Sequence, residues 1–308
     1  MNLTIAGLTR VGISIGLALK AVSEEIAIMG HDPDPERAKN AKALGAIDKS
    51  RWNLISACEK ADLILLDLPL EEVEKTLTAL RDEVKEGVVI LDMSSIKRPV
   101  LDLAGRILPE TVQLIGGNVV SLQLSAHSGP SAGTLNRAIF YLVAPENATR
   151  EALAMVSNLA EAVGAQPHYI DAAEHDGLMA ATAQLPFLSA LALVGTLSKE
   201  AGWPDRAQSA GAGFATVESL LLDMNTTSVE ALLSNKDNLL HWIDLYTQEL
   251  EEMRQLLQEG EGKGLQETLE QAIETCEERR SGEAPQDTLA EEPVSNWQSL
   301  FFGSLGRR

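Results

Sequence analysis

Five apolar runs of strand length recur through the first 120 residues: NLTIAG (2–7), EIAIMGHD (25–32), DLILLDLP (62–69), GVVILDM (87–93) and VQLIGG (112–117). They are nearly continuous in apolar residues rather than alternating, as strands buried on both faces of a parallel sheet are. Between them stand stretches at helical spacing, PERAKNAKALG (35–45) and LEEVEKTLTALRDEV (70–84). Strands alternating with helices predict βαβ units joined by right-handed crossovers. RAIFYLVAP (137–145) extends the sheet, followed by a helix near 149–163 and a short strand at PHYI (167–170).

After residue 171 the strand pattern stops. Asp171 with Glu174 three positions on has the form of a capping box, opening a long apolar helix that runs to about Gly202. Pro186 lies inside it and should kink it. A second stretch, 227–260, keeps apolar residues at helical spacing over many turns. Helices this long and apolar on several faces predict a helical domain buried in a homodimer. From Arg280 the chain is polar and proline-containing, a tail from which Trp297, Phe301 and Phe302 are expected to dock back. The expected domains are 1–170, 171–282 and the tail 283–308.

Composition narrows the partners. The 308 residues carry 25 Lys and Arg against 45 Asp and Glu, a net charge of -20. Phosphate-backbone binding needs clustered cations, so nucleic acid is excluded as a partner, and an anionic membrane surface is disfavoured. A bound small anion is not excluded, because charges beyond roughly 8 Å are screened. Cys58 and Cys276 are far apart and suggest neither a metal cluster nor a disulfide framework, so no metal is expected and a reducing cytoplasm fits. The N-terminus lacks the charge and apolar core of a signal peptide, and the longest apolar run, 185–195, is shorter than a bilayer span.

Chemistry begins at GLTRVGISIGLALK (7–20). A strand, then Gly7-x-Thr9-x-x-Gly12, then a helix is the setting of a dinucleotide loop. Gly7 would make the tight turn, and Gly12 and Gly16 would let helix pack closely on sheet. The N–H groups opening the helix, near Arg10 and Val11, would face the pyrophosphate with the positive end of the helix dipole. Thr9 stands where glycine usually lets backbone and phosphate approach. Asp32 ends the second strand, placed for a ribose diol and repelling a 2′-phosphate, which favours NAD over NADP. Leu68 and Pro69, closing the third run, complete the candidate cofactor-binding set. The fold expected is α/β: a Rossmann-type, mostly parallel sheet domain followed by an all-helical dimerisation domain.

At this point the chain resembles the prephenate and arogenate dehydrogenases of tyrosine biosynthesis. The resemblance is collinear over roughly residues 3–257. It rests on the opening loop, ALGAID (43–48), DLILLDLP, LDMSSIKRPV (91–100), IGGNVVS (115–121), EHDGLMAATAQLPFLSALAL (174–193), GAGFATVESL (211–220) and SNKDNLLHWIDLYTQEL (234–250). It implies NAD as cofactor, a small-molecule substrate and oxidative decarboxylation of a cyclohexadienol, with hydride passing to the nicotinamide. A histidine typically takes or orients the ring-hydroxyl proton, and an arginine of the helical domain typically holds a substrate carboxylate.

Ser95 and Lys97 match the family's serine and lysine, and His175-Asp176 a pair at the start of the long helix. The rest departs. Where the family reads Gly-Gly-His-Pro this chain has Gly116-Gly117-Asn118-Val119, and Asn118 can hydrogen-bond but not act as a base near neutral pH. Ser-His-Leu-Pro-His is replaced by Ala183-Gln184-Leu185-Pro186-Phe187, and Thr-Arg by Glu218-Ser219. The candidate catalytic set is therefore Ser95, Asn118, Lys97 and His175, with His175 equally readable as a capping or packing residue and His127 as a substitute base. The function expected is a dehydrogenase of this family working through replacement residues; the alternatives are an NAD-dependent oxidoreductase on a less anionic substrate and a non-catalytic NAD-binding dimer.

Overall fold

A computed structural model describes residues 1–23, 25–121, 129–222 and 228–281. His127 and the tail with Trp297, Phe301 and Phe302 lie outside the described residues. The chain divides into two compact units, Met1–Leu239 and Leu240–Arg308.

The first unit is built on one eight-stranded sheet in the order β3-β2-β1-β4-β5-β6-β7-β8. The strands are β1 (Asn2–Ala6), β2 (Ala27–His31), β3 (Lys49–Ser50), β4 (Leu63–Leu66), β5 (Val89–Asp92), β6 (Gln113–Val120), β7 (Ile139–Val143) and β8 (Gln166–Tyr169). All neighbours pair in parallel except β6 and β7, which are antiparallel. The chain order reverses between β1 and β4, so the crevice at their carboxyl ends is the switch point where α/β sheets bind ligands.

Seven helices accompany the sheet: α1 (Arg10–Val22), α2 (Pro35–Ala43), α3 (Leu54–Cys58), α4 (Leu70–Leu80), α5 (Arg98–Ile107), α6 (Arg150–Ala162) and α7 (Ala172–Met179). One apolar cluster sets Ile13, Ile15 and Leu19 of α1 and Val156 and Leu159 of α6 against Leu3, Ile5, Leu63 and Leu65. A second sets Val73, Leu77 and Leu80 of α4 and Val100 of α5 against Ile64, Leu66 and Ile90. Every residue of β4 is buried, which is why its run reads without alternation. Cys58 belongs to the second cluster, and burial pushes its thiol up to about 12, so it is inert.

The chain corrects several sequence expectations. β3, α3 and α5 were not anticipated: β3 is only two residues long, and α5 opens on Arg98 and Pro99 inside a stretch that reads as a motif. β6 runs on through Val120, so Asn118 lies within the strand rather than after it, opposite Tyr141. A π-helical turn, Ala180–Gln184, stands between α7 and α8 (Leu185–Lys199) and absorbs the missing proline donor. Asp171 caps α7 by accepting from Ala173 and Glu174 N–H.

The stretch 227–260 is broken at Asn235 into α11 (Val229–Ser234) and α12 (Lys236–Glu259). α9 (Trp203–Gln208) and α10 (Ala212–Leu222) complete the helices before it, with α10 packed on α8. α13 (Gly262–Ser281) follows and was also not anticipated. In the second unit Gly260 turns with φ +71° and the Leu256 side chain lies against Gly264.

The helical segment Ala172–Lys199 is 28 residues long and contains an 18-residue window of mean hydropathy 1.7, enough by length and composition to cross a bilayer. This corrects the reading of 185–195 alone. Its first turns are nevertheless tied into the protein core through His175, Asp176 and Gln184, all buried polar residues. Leu191, Leu193, Leu220 and Leu222 of α8 and α10 are exposed, and in the second unit so are Leu245, Leu250, Leu257 and Ile273.

Candidate active site

The dinucleotide loop forms as its sequence requires. Gly7 takes φ +91°, and a Cβ there would stand 2.1 Å from the Asp67 carbonyl oxygen, so only glycine fits. Gly16 lies against the Ala46 carbonyl, where a Cβ would sit at 2.4 Å, letting α1 press onto the connection between α2 and β3. Thr9 is the N-cap of α1, its hydroxyl oxygen accepting from Val11 N–H at 3.1 Å. Asp32, buried at the end of β2, accepts from Leu8 N–H and Asp34 N–H, both at 2.8 Å, and Arg37 stands 4.0 Å away. Each of its oxygens keeps a lone pair for a ribose hydroxyl. Leu68 is half-buried and Pro69 exposed at the end of β4, on the rim of the same crevice. The glycine turn, the α1 N-terminus and Asp32 thus fit a dinucleotide.

One residue of this crevice is absent from the sequence-based set. Asp67, the first residue after β4, turns a buried carboxylate under the loop and accepts from Gly12 N–H at 2.8 Å and from the Thr9 hydroxyl. Burial, reinforced by Asp32 and Asp92 nearby, raises its pKa to about 6 against the lowering hydrogen bonds from Thr9 and Gly12. An acid inside an apolar run, opposite a threonine in a glycine position, was the available signal.

A second cluster lies at the ends of β5 and β6. Lys97 is fully buried, its ammonium donating to the Asp92 carboxylate at 2.9 Å and carbonyl at 3.0 Å, while Ser94 donates to the same carboxylate at 2.6 Å. The other Asp92 oxygen is buried without a hydrogen-bond partner among the described residues. Lys97 therefore anchors the β5–α5 turn through two of its ammonium donors, both on Asp92. Ser95 in that turn is half-buried.

The turn is held from the far side by Asp176. Its carboxylate accepts from Lys97 N–H at 2.7 Å, Arg98 N–H at 2.9 Å and His175 Nδ1 at 3.0 Å. Because Nδ1 faces a carboxylate it carries the proton, leaving Nε2 as an acceptor. Asn118 fills that acceptor with its amide Nδ2 at 3.0 Å and also points Nδ2 at the Met179 sulfur at 3.0 Å. Both amide hydrogens are used, and the Asn118 carbonyl oxygen has no protein partner among the described residues. Burial pushes the His175 imidazole below its ordinary value, against the opposing pull of Asp176, so the ring is neutral near pH 7. Tyr141 meets His175 edge-on at 6.0 Å and was also missed.

The network continues to Asn235, whose amide donates to the Asp176 carbonyl and the Gln184 side chain, both at 2.8 Å. Gln184, in the place of a family histidine, is buried and structural. Of the helical substitutions, Glu218 is exposed and Ser219 bonds back to the Thr216 carbonyl at 2.7 Å. The structure thus joins His175, Asn118 and the Lys97 turn, and separately Gly7, Thr9, Val11, Gly12 and Asp32. Arg10 is the first residue of α1 beside them.

A family model described as prephenate dehydrogenase, nucleotide-binding domain, matches residues 15–169, and one described as prephenate dehydrogenase, dimerization domain, matches 171–271. The chain belongs to the prephenate dehydrogenase family. The prephenate dehydrogenase of Bacillus subtilis (strain 168) is 28% identical over 272 residues, spanning 86% of this chain and 72% of that protein. The cyclohexadienyl dehydrogenase of Zymomonas mobilis is 25% identical, over 85% of this chain and 90% of that one. Among solved structures, the prephenate dehydrogenase from A. aeolicus in complex with hydroxyphenyl propionate and NAD+ superposes with a TM-score of 0.77 at 23% identity. That likeness spans 90% of this chain and 98% of the other. Within this family's fold, the first domain of the chain is a nucleotide-binding domain.

Proposed function

We propose that this chain is a cytoplasmic homodimer and an NAD-dependent oxidoreductase of the prephenate and arogenate dehydrogenase type, in which Asn118 orients the hydroxyl of a substrate less anionic than prephenate or arogenate. The Asp176–His175–Asn118 relay carries this reading. It fixes the amide so that its oxygen alone is left to accept a substrate O–H, beside the β5–α5 turn and the dinucleotide crevice. The bound cofactor would accept hydride from the carbinol carbon. Asp32 would hold its ribose, the Gly7 turn and α1 its pyrophosphate, and His175, touching Asn118 and not the substrate, is a positioning residue.

An amide oxygen does not take a proton near pH 7, and general base catalysis is worth about 10²–10⁴-fold. No arginine stands at Glu218-Ser219 to clamp a second carboxylate. Turnover of prephenate and arogenate is therefore expected near background, with faster NADH formation on a less anionic hydroxylated substrate. Asn118→His alone should help little, whereas Asn118→His with Glu218→Thr and Ser219→Arg should exceed the sum of the separate effects, because base and clamp act on one molecule. Robust prephenate-dependent NADH formation by the wild type would overturn the reading. The non-catalytic alternative is favoured by the same amide in the base position; NAD binding without turnover of any hydroxylated substrate would establish it.

The exposed leucines of α8 and α10 support a second copy rather than lipid as their cover, since the apolar segment begins on the buried residues His175 and Asp176.

A further inference from the structure

Asp67 does something in this crevice that the dinucleotide reading alone does not call for. The first N–H groups of a helix are the donors that hold a phosphate. In α1 the Val11 N–H is taken by the Thr9 hydroxyl and the Gly12 N–H by the Asp67 carboxylate, to which the Thr9 hydroxyl itself donates. A Cβ on Gly12 would come within 2.8 Å of that carboxylate, so the acid is packed directly beneath the helix start. The two departures from a plain glycine loop, Thr9 and Asp67, are partners. Together they supply the helix N-terminus with an internal anion.

Resting on the dinucleotide reading, we propose that Asp67 is the affinity-determining residue of the cofactor site: it competes with the pyrophosphate for the α1 N-terminus, and the dinucleotide binds together with a proton that neutralises it. Two like charges cannot share one desolvated cradle, so either the carboxylate takes a proton from solvent or the nucleotide stays weak. The charged groups acting on Asp67 are Asp32 from β2 and Asp92 from β5, both acidic, and Asp92 is already matched by Lys97. No bond other than the carboxyl O–H forms or breaks. With Asp67 ionising at about 6, the proton demand weakens binding about tenfold for each pH unit above that point.

The test measures NAD+ affinity by calorimetry at pH 5.5 and pH 8 for the wild type, Asp67→Asn and Asp67→Ala. Asparagine keeps the shape and can still accept from Gly12 and Thr9 without charge, and thermal melting confirms that each variant is folded. The wild type should weaken by about a hundredfold between the two pH values, and the variants by less than about threefold. In buffers of different ionisation enthalpy at pH 7.5, wild-type binding should take up close to one proton and Asp67→Asn none. Variants that bind no tighter than the wild type at pH 8, or wild-type binding without proton uptake, overturn the proposal while leaving the chain a dinucleotide binder. If only the variants bind, the proposal stands and the wild type's use of NAD fails. If no form binds at either pH, removing the carboxylate does not open the cradle, and both ideas fall.

Discussion

Replacing Asp176 by asparagine tests whether one buried carboxylate holds the β5–α5 turn to the helix that follows the sheet. Three donors converge on it: Lys97 N–H at 2.7 Å and His175 Nδ1 at 3.0 Å on one oxygen, Arg98 N–H at 2.9 Å on the other. Asparagine can place its carbonyl on the first oxygen's site, but its NH2 then faces the Arg98 N–H, donor against donor. A hydrogen bond to a charged group is worth about 1.5–3 kcal/mol, and the two retained bonds weaken with the charge. Relief from burying a carboxylate offsets part of this, so a net loss of about 2–4 kcal/mol is expected. Asp176→Ala leaves all three donors unmatched and should lose more, and it should also release the His175 tautomer. The assay is urea unfolding followed by circular dichroism, with imidazole 15N shifts reporting the tautomer. A loss under about 1 kcal/mol for both variants, with Nδ1 still protonated in Asp176→Ala, would refute the role assigned to this carboxylate.

Gly7→Ala should destabilise the protein by more than about 3 kcal/mol, because both the positive φ and the Asp67 carbonyl oppose a methyl group, and the melting temperature reports it. Asp32→Ala should narrow the preference for NAD(H) over NADP(H), read as the ratio of the two dissociation constants; an unchanged ratio would count against the ribose assignment. Light scattering at micromolar concentration should give twice the 33.1 kDa chain mass, and charged substitutions at Leu191 and Leu220 should shift it toward the monomer.

The sheet was legible because burial on both faces leaves a signature that survives in composition. Leu63–Leu66 and Val89–Ile90 have no solvent side and hence no polar alternation. The pieces that escaped are those whose existence depends on neighbours. β3 contributes two paired residues to an edge. The helical period of 227–260 runs unbroken through Asn235, and nothing local marks the break. What decides it is distant: the Asn235 amide is needed by the Asp176 carbonyl and by Gln184, 59 and 51 residues back along the chain. A buried amide satisfied by long-range partners is favourable only once the rest of the core exists, so its effect on the backbone is invisible in a window of ten residues.

The site shows the same division at higher resolution. Gly7, Gly12 and Asp32 were readable because each answers a demand made by its own turn or strand end. Lys97 and His175 were readable as positions but not as roles, since a lysine on strand-end carboxylate and a histidine between amide and acid are defined by what they touch. Asp67 is the instructive miss. Taken singly, Thr9 reads as a poor glycine and Asp67 as an acid interrupting an apolar strand, each a small defect. In space they bond to each other and to Gly12, and the two defects become one cap on α1. Local rules broken at two places 58 residues apart, with each repairing the other, mark a site where the chain departs from a plain glycine loop for a reason. That reason is an anion built into the place where another anion must bind, and it makes the chain's hold on its cofactor a question of protonation.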